Sequence, residues 1–376
     1  MKKFLTIFFP LEKVHLYKDV GMIPYSLSKY RNMASDMLYI SEQAIQDDDF
    51  AKHVTLHRVE KDRWTPFRVI AFLWHHRHDY DWVNVYHLTL KKSLPAILIK
   101  LFNPKCRVYL KLDLDEIMFT SFYGTSLKRK LLNRLKGLYV KHFIDLVTVE
   151  SQEYYHELKL HHLFEGKLQY LPNGIEITGD QEQQQVADAA ADKENIILFV
   201  GRVGEYQKNN ELLVDAFSQL PLAVRADWKL VFAGSVKESF RSYVDAIEDE
   251  SVKQNIVLLG NIEDKSKLYA LYDKASIFAL TSRWEGFCLV VLEAMYFANY
   301  VISTRFSAVL DILDNGNAGR IIPGEDVVAL KEALVEALSN PAKRQEVAKL
   351  GQQRVQQLFM WRTIVGRLFD YMGAFK

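Results

Sequence analysis

Short apolar runs alternate with longer helix-period segments along almost the whole chain, and this alternation restricts the fold more than any other feature. A strand that is apolar on both faces needs cover on both faces. A parallel sheet wrapped by crossover helices supplies it. In the first half, Phe4–Phe9, Met37–Ile40, Val54–His57, Trp82–Leu88, Val108–Leu112, Leu146–Val149 and Leu168–Leu171 read as buried strands. Ile23–Met33, Leu94–Leu101 and Leu127–Tyr139 read as helices between them. In the second half the strand candidates are Ile196–Val200, Lys229–Ala233, Ile256–Leu259, Ile277–Leu280, Tyr300–Ser303 and Arg320–Ile322. The reading is α/β, with two doubly wound, Rossmann-like parallel-sheet domains. Ligands in such folds sit beyond the carboxyl ends of the strands, so two such domains would face each other across a cleft.

The break between the halves is EITGDQEQQQVADAAADK, Glu176–Lys193, which has no large apolar residue besides Ile177. The expected division is 1–175, a linker at 176–194, a second domain at 195–360, and a terminal helix at 361–376 that packs back on the first domain. Charge divides in the same place. Residues 1–175 carry 26 Lys and Arg against 19 Asp and Glu, and the remainder carries 22 against 28. Opposite signs suggest two bodies with different partners.

Several function classes fall away. No apolar run reaches the length of a membrane span. The basic, apolar start MKKFLTIFFP reads as a buried first strand rather than a leader. Two cysteines, Cys106 and Cys288, give neither a disulfide framework nor zinc spacing, which fits a reducing cytosol. No G-x-G-x-x-G follows a strand, against a dinucleotide oxidoreductase. A pI near 7.7 and the lack of an aromatic-rich basic motif argue against nucleic-acid binding.

Two constellations could carry chemistry. After the strand IILFV come Gly201-Arg202 and, six residues on, Lys208. A strand-to-helix turn aims backbone N–H groups at an anion, and two cations there would clamp a diphosphate. The second is TSRWEGFCLVVLEAM, where Glu285 and Glu293 are eight residues apart and Gly286 lets backbone approach a ligand. A helix opens next, with N–H groups of Phe287, Cys288 and Leu289 at its start. Glu293 lies within an otherwise apolar helix and needs partners there; vicinal hydroxyls of a ribose would serve.

Together with PNGIE (Pro172–Glu176) and the VLLGNI strand end, these elements resemble the retaining glycosyltransferases of the GT-B fold, family 4, over about residues 145–340. The resemblance implies that Arg202 and Lys208 hold the donor diphosphate and that Glu285 contacts the donor sugar. It gives Glu293 the ribose, Ile262 the base through its backbone, and Gly286, Phe287, Cys288 and Leu289 the sugar and distal phosphate. Gly21 would belong to a first loop reading KDVGMIP, where the family usually has paired glycines. The acceptor side is assigned to Lys111, Asp113 and His87. The implied activity is retaining hexosyl transfer, without metal or permanent cofactor, from a nucleotide sugar (UDP-sugar favoured) to a saccharide or lipid-linked acceptor in polysaccharide or glycoconjugate biosynthesis. The implied location is cytoplasmic, or peripheral on the inner membrane face.

Alternatives stay open. Asp113-Leu114-Asp115 is a DxD that could bind Mg²⁺ or Mn²⁺ with a nucleotide diphosphate. The chain could instead be a non-catalytic partner of another glycosyltransferase, or a nucleotide-sugar epimerase or hydrolase. His75, His76 and His78 read as a polar loop rather than a metal site. The segment LKRKLLNRLKGLYVKHF, 127–143, is a basic amphipathic helix that could meet an anionic membrane, with its leucine stripe packing inward.

Overall fold

The computed structural model describes residues 3–123, 126–160, 164, 166–177 and 193–374. The chain divides into two compact units: 1–174 with 361–376, and 175–360. Of the linker expected at 176–194, residues 178–192 lie outside the described residues.

Among the described residues the first unit contains a seven-stranded sheet. Its strands are β1 (Lys3–Phe8), β2 (Ala34–Ser41), β3 (Val54–Glu60), β4 (Trp82–Tyr86), β5 (Arg107–Leu112), β6 (Leu146–Val149) and β7 (Leu168–Tyr170). The second unit contains six: β8 (Glu194–Val200), β9 (Lys229–Ala233), β10 (Ile256–Gly260), β11 (Ala275–Leu280), β12 (Tyr300–Thr304) and β13 (Arg320–Ile322). Every pairing is parallel. The orders are β3-β2-β1-β4-β5-β6-β7 and β10-β9-β8-β11-β12-β13. In each sheet the winding reverses once, between β1 and β4 and between β8 and β11. These are the points where open α/β sheets leave a crevice for ligands.

The strands are apolar on both faces because both faces are covered. In the first unit one core holds Leu5, Val83, Val85 and Leu110 under the helices Thr65–His75, Leu90–Phe102 and Leu127–Phe143. The other face is covered by Asp19–Arg31 and Trp361–Gly373. The C-terminal helix belongs to this unit by its apolar face: Trp361, Ile364, Val365 and Leu368 are all buried. Each such side chain contributes roughly 1.5–3 kcal/mol on burial. The Tyr371 hydroxyl also donates to the Tyr170 carbonyl at 3.0 Å.

Three local expectations change. The first helix starts at Asp19, so Gly21 lies in a helix and not in a loop. A Cβ there would come within 2.2 Å of the Leu16 carbonyl oxygen, so glycine is required for packing. His75 ends the helix Thr65–His75, and His76 bonds Asp79 at 2.7 Å. The leucine stripe of Leu127–Phe143 faces solvent, while Tyr139 and Val140 turn inward. Among the described residues no helix is long and apolar enough to cross a membrane.

Candidate functional site

The site of the second unit is built where β8, β9 and β10 end. Gly201, Gly234 and Gly260 occupy these ends with positive φ. A Cβ on Gly234 would fall 1.8 Å from the Gly201 carbonyl oxygen, so the turns touch without side chains between them. This leaves a pocket of about 230 Å³ lined by backbone and by Arg202, Ser235, Ile262 and Leu268. Arg202 and Ile262, both expected at the donor, thus share one pocket. Arg202 is exposed and donates to the Gln207 side chain at 3.0 Å.

Lys208 approaches from the same turn. Its Cε lies 3.9 Å from where a Cβ on Gly201 would sit. Its ammonium pairs with Glu285 Oε1 at 2.5 Å, and Ser282 donates to the same oxygen at 2.6 Å. Both members of the pair are nearly buried, with side chains 13% and 10% exposed. A pair with this burial and a third partner is held in one geometry. The scaffold around it is also bonded. Gln207 donates to the Trp284 carbonyl at 2.9 Å, Arg283 N–H to the Gln207 carbonyl at 2.8 Å, and the Thr281 hydroxyl to the Asn209 carbonyl at 2.9 Å. The turn after β8 and the segment after β11 are therefore locked together across the reversal point of this sheet.

Glu285-Gly286-Phe287 leads into the helix Leu289–Tyr296. Cys288 is its N-cap and no side chain caps it. Burial pushes the Cys288 thiol well above its ordinary range, with Glu285 and Glu293 adding and Lys208 opposing. Phe287 packs toward Phe359 at 6.5 Å between ring centroids. Glu293 is half-buried and accepts from the Tyr272 hydroxyl at 3.0 Å. Desolvation raises its pKa, opposed by Lys265 and by the Tyr272 bond. Glu293 does not line the pocket that Arg202 and Ile262 share. Sequence reasoning missed Gln207, Ser282 and Tyr272. Ser282 was within reach, three residues before Glu285; Tyr272 comes from a different helix and had no signal.

In the first unit, His87 and Asp113 line another pocket of about 230 Å³, with Lys92, Lys136, Met118 and Phe122. His87 follows β4 with φ 60°, a strained value for a residue with a Cβ. Burial, with Lys92 and Lys111 adding and Asp113 opposing, holds its pKa below the usual value. Lys111 is not in this pocket, which corrects its grouping with the other two. It is 1% exposed, lying 3.8 Å from both Asp19 and Glu150. Burial alone would lower its pKa, but Glu150 and Asp19 outweigh that and hold it charged. Burial raises Glu150 well above its ordinary value and Asp19 to about 6, in both cases against Lys111. One cation cannot neutralise two buried carboxylates, so one of them holds its proton more tightly. Asp113 is exposed, while Asp115 accepts from the Met118 N–H at 2.7 Å as a helix cap. Among the described residues no group of three His, Cys, Asp or Glu is placed to hold a metal ion.

Residues 180–354 match the family model for glycosyl transferases group 1. A Campylobacter jejuni α-1,4-N-acetyl-D-galactosaminyltransferase acting on an undecaprenol-diphosphate-linked saccharide is 28% identical over 170 residues, 44% of this chain and 45% of that protein. The phosphatidyl-myo-inositol mannosyltransferase of Mycobacterium leprae is 25% identical over 198 residues, 53% of this chain and 51% of that protein. The chain thus spans about half the length of the curated relatives it matches. In fold the likeness extends over the whole chain. Sucrose-phosphate synthase from Thermosynechococcus elongatus superposes with a TM-score of 0.72 at 20% identity, covering 100% of both chains. Anabaena HepE, solved with UDP, gives 0.70 at 16% identity, again over 100% of both. The chain has the GT-B architecture, and the stretch 180–354 is similar to the group 1 glycosyl transferases.

Proposed function

We propose that the chain transfers a hexosyl group, with retention, from a nucleotide diphosphate sugar to a saccharide or lipid-linked acceptor in glycoconjugate biosynthesis. The observation that carries this reading is the Lys208–Glu285 pair at 2.5 Å, set beside exposed Arg202 at glycine-ended strands. Arg202 and Lys208 would offset the charge that develops on the departing diphosphate. Glu285, held by Lys208 and Ser282, would orient the sugar hydroxyls. Glu293 would accept from the ribose hydroxyls, and the backbone at Ile262 would meet the base. With retention, the leaving phosphate oxygen can take the acceptor proton on the face it departs from, so neither a protein nucleophile nor a metal is needed. HepE solved with UDP makes uracil the first base to test.

We assign the acceptor to the pocket of His87 and Asp113. A lipid-linked acceptor would bring the chain to a bilayer, where the basic helix Leu127–Phe143 offers contact.

Calorimetry with UDP, GDP and ADP and their common sugars, with and without Mg²⁺, tests the donor. One diphosphate should bind without Mg²⁺ and lose its affinity in Arg202→Ala. Binding that requires Mg²⁺ and vanishes in Asp113→Ala would move the chemistry to the DxD. Binding of none would leave a non-catalytic partner of another transferase. The anomeric configuration of the product, read by NMR, decides retention.

A further inference from the structure

The helices Thr65–His75, Leu90–Phe102 and Leu127–Phe143 lie on one face of the first sheet, because successive right-handed crossovers moving in one direction stay on one side. Their inward residues, among them Leu73, Ile99 and Val140, join a single core. The first two helices touch through Trp74 and Phe102, edge-on at 5.0 Å. Their outward residues are also apolar. Phe67 is 64% exposed, Leu101 65%, Leu127 84% and Leu131 59%, and Trp64, Trp74, Leu94, Leu135 and Leu138 are about half exposed. A soluble monomer seldom leaves so wide an apolar face without a use for it.

Charge narrows the occupant. None of the three helices contains Asp or Glu. Arg68 is held by Glu60 and Asp62, and Lys100 by Asp145. Lys128, Arg129, Lys130 and Arg134 are exposed and have no acidic partner among the described residues. A second copy would bring the same cations and repel. A nucleic acid would match the charge but give the exposed leucines nothing to enter, and a single helix groove on an acidic protein would take one helix rather than a face three helices wide. An anionic bilayer satisfies both, with leucines at the acyl boundary, cations among headgroups, and Trp64 and Trp74 at the rim where indole rings favour the interface.

We propose that this three-helix face docks the chain on an anionic lipid bilayer. Docking is a property of this face whichever reaction the chain catalyses. The test is co-sedimentation of the full chain with vesicles of phosphatidylcholine alone or with about one-third phosphatidylglycerol. The expected result is binding only to the anionic vesicles, weakened by salt. Each base near the surface is worth about fivefold, so K128Q/R129Q/K130Q/R134Q together should cost at least about 10²-fold. L131S/L135S should cost at least about tenfold. Arg362→Gln, on the helix covering the opposite sheet face, should bind as wild type. Circular dichroism should show the same fold in every variant, since all the altered side chains are exposed. Failure of the wild type to bind anionic vesicles would overturn the proposal, as would binding that neither set of changes weakens. Concentration-dependent dimerisation lost in L131S/L135S would assign the face to a second copy instead.

Discussion

At or just past their ends, three strands of the second sheet have glycine, whereas those of the first have larger side chains. Gly201, Gly234 and Gly260 all have positive φ, and a ligand can approach the bare backbone there. At matching places the first sheet has Phe8, Tyr86-His87 and Leu112. Both units put a lysine near carboxylates at these ends, with different results. Lys208 makes a short bond to Glu285 and keeps some exposure. Lys111 is sealed 3.8 Å from each of two carboxylates, with no hydrogen bond to either. The difference separates a hydrogen-bonded pair that keeps some exposure from a cation sealed in its unit's interior.

The sharpest way to break this comparison is to remove each lysine. Lys111→Met should leave two buried carboxylates without their cation and destabilise the first unit by about 3–5 kcal/mol. Amide hydrogen exchange in β5 reads it; unchanged protection there would mean that the triad is not structural. Lys208→Ala should leave the fold intact and lower the transfer rate by at least about 10²-fold, as should Glu285→Ala. Steady-state kinetics with the donor identified by calorimetry measures this, and a wild-type rate in either variant removes that residue from the site. Glu293→Gln should weaken nucleotide binding by about tenfold with little change in stability; unchanged affinity argues against the ribose role.

The smallest effect is pH-dependent. The folded chain holds the Asp19 proton up to about 6, against an ordinary value of 3.8. Such a raised carboxyl favours the folded state most below the unfolded value, and this stability is lost as pH rises through about 6. Asp19→Asn mimics the protonated form. It should therefore stabilise the first unit at about pH 8 and make little difference at about pH 4. An equal effect at both pH values would mean that Asp19 is not the group that titrates.

Legibility differed between the units as much as the chemistry did. The second unit's residues sit near each other in sequence, Arg202 with Lys208 and Glu285 with Glu293, so spacing alone could group them. Residues that reach the site from elsewhere, such as Tyr272 on Glu293, left no such trace. In the first unit Lys111, Asp113 and His87 were grouped by their places at strand ends. Lys111 lies within β5 and is sealed in the interior, whereas Asp113 follows the end of the strand and shares a pocket with His87.

The leucine stripe of Leu127–Phe143 shows the same limit. Periodicity finds an apolar face but does not say which face meets the core; here Tyr139 and Val140 do, and Leu127 and Leu131 do not. By itself the sequence determined the element order and the parallel sheets, because these follow from local periodicity. Only the tertiary structure decided which helix face is buried, that Gly21 serves packing, and which lysine is sealed and which keeps some exposure. Those outcomes depend on what each residue packs against, and its neighbours in space come from distant parts of the chain.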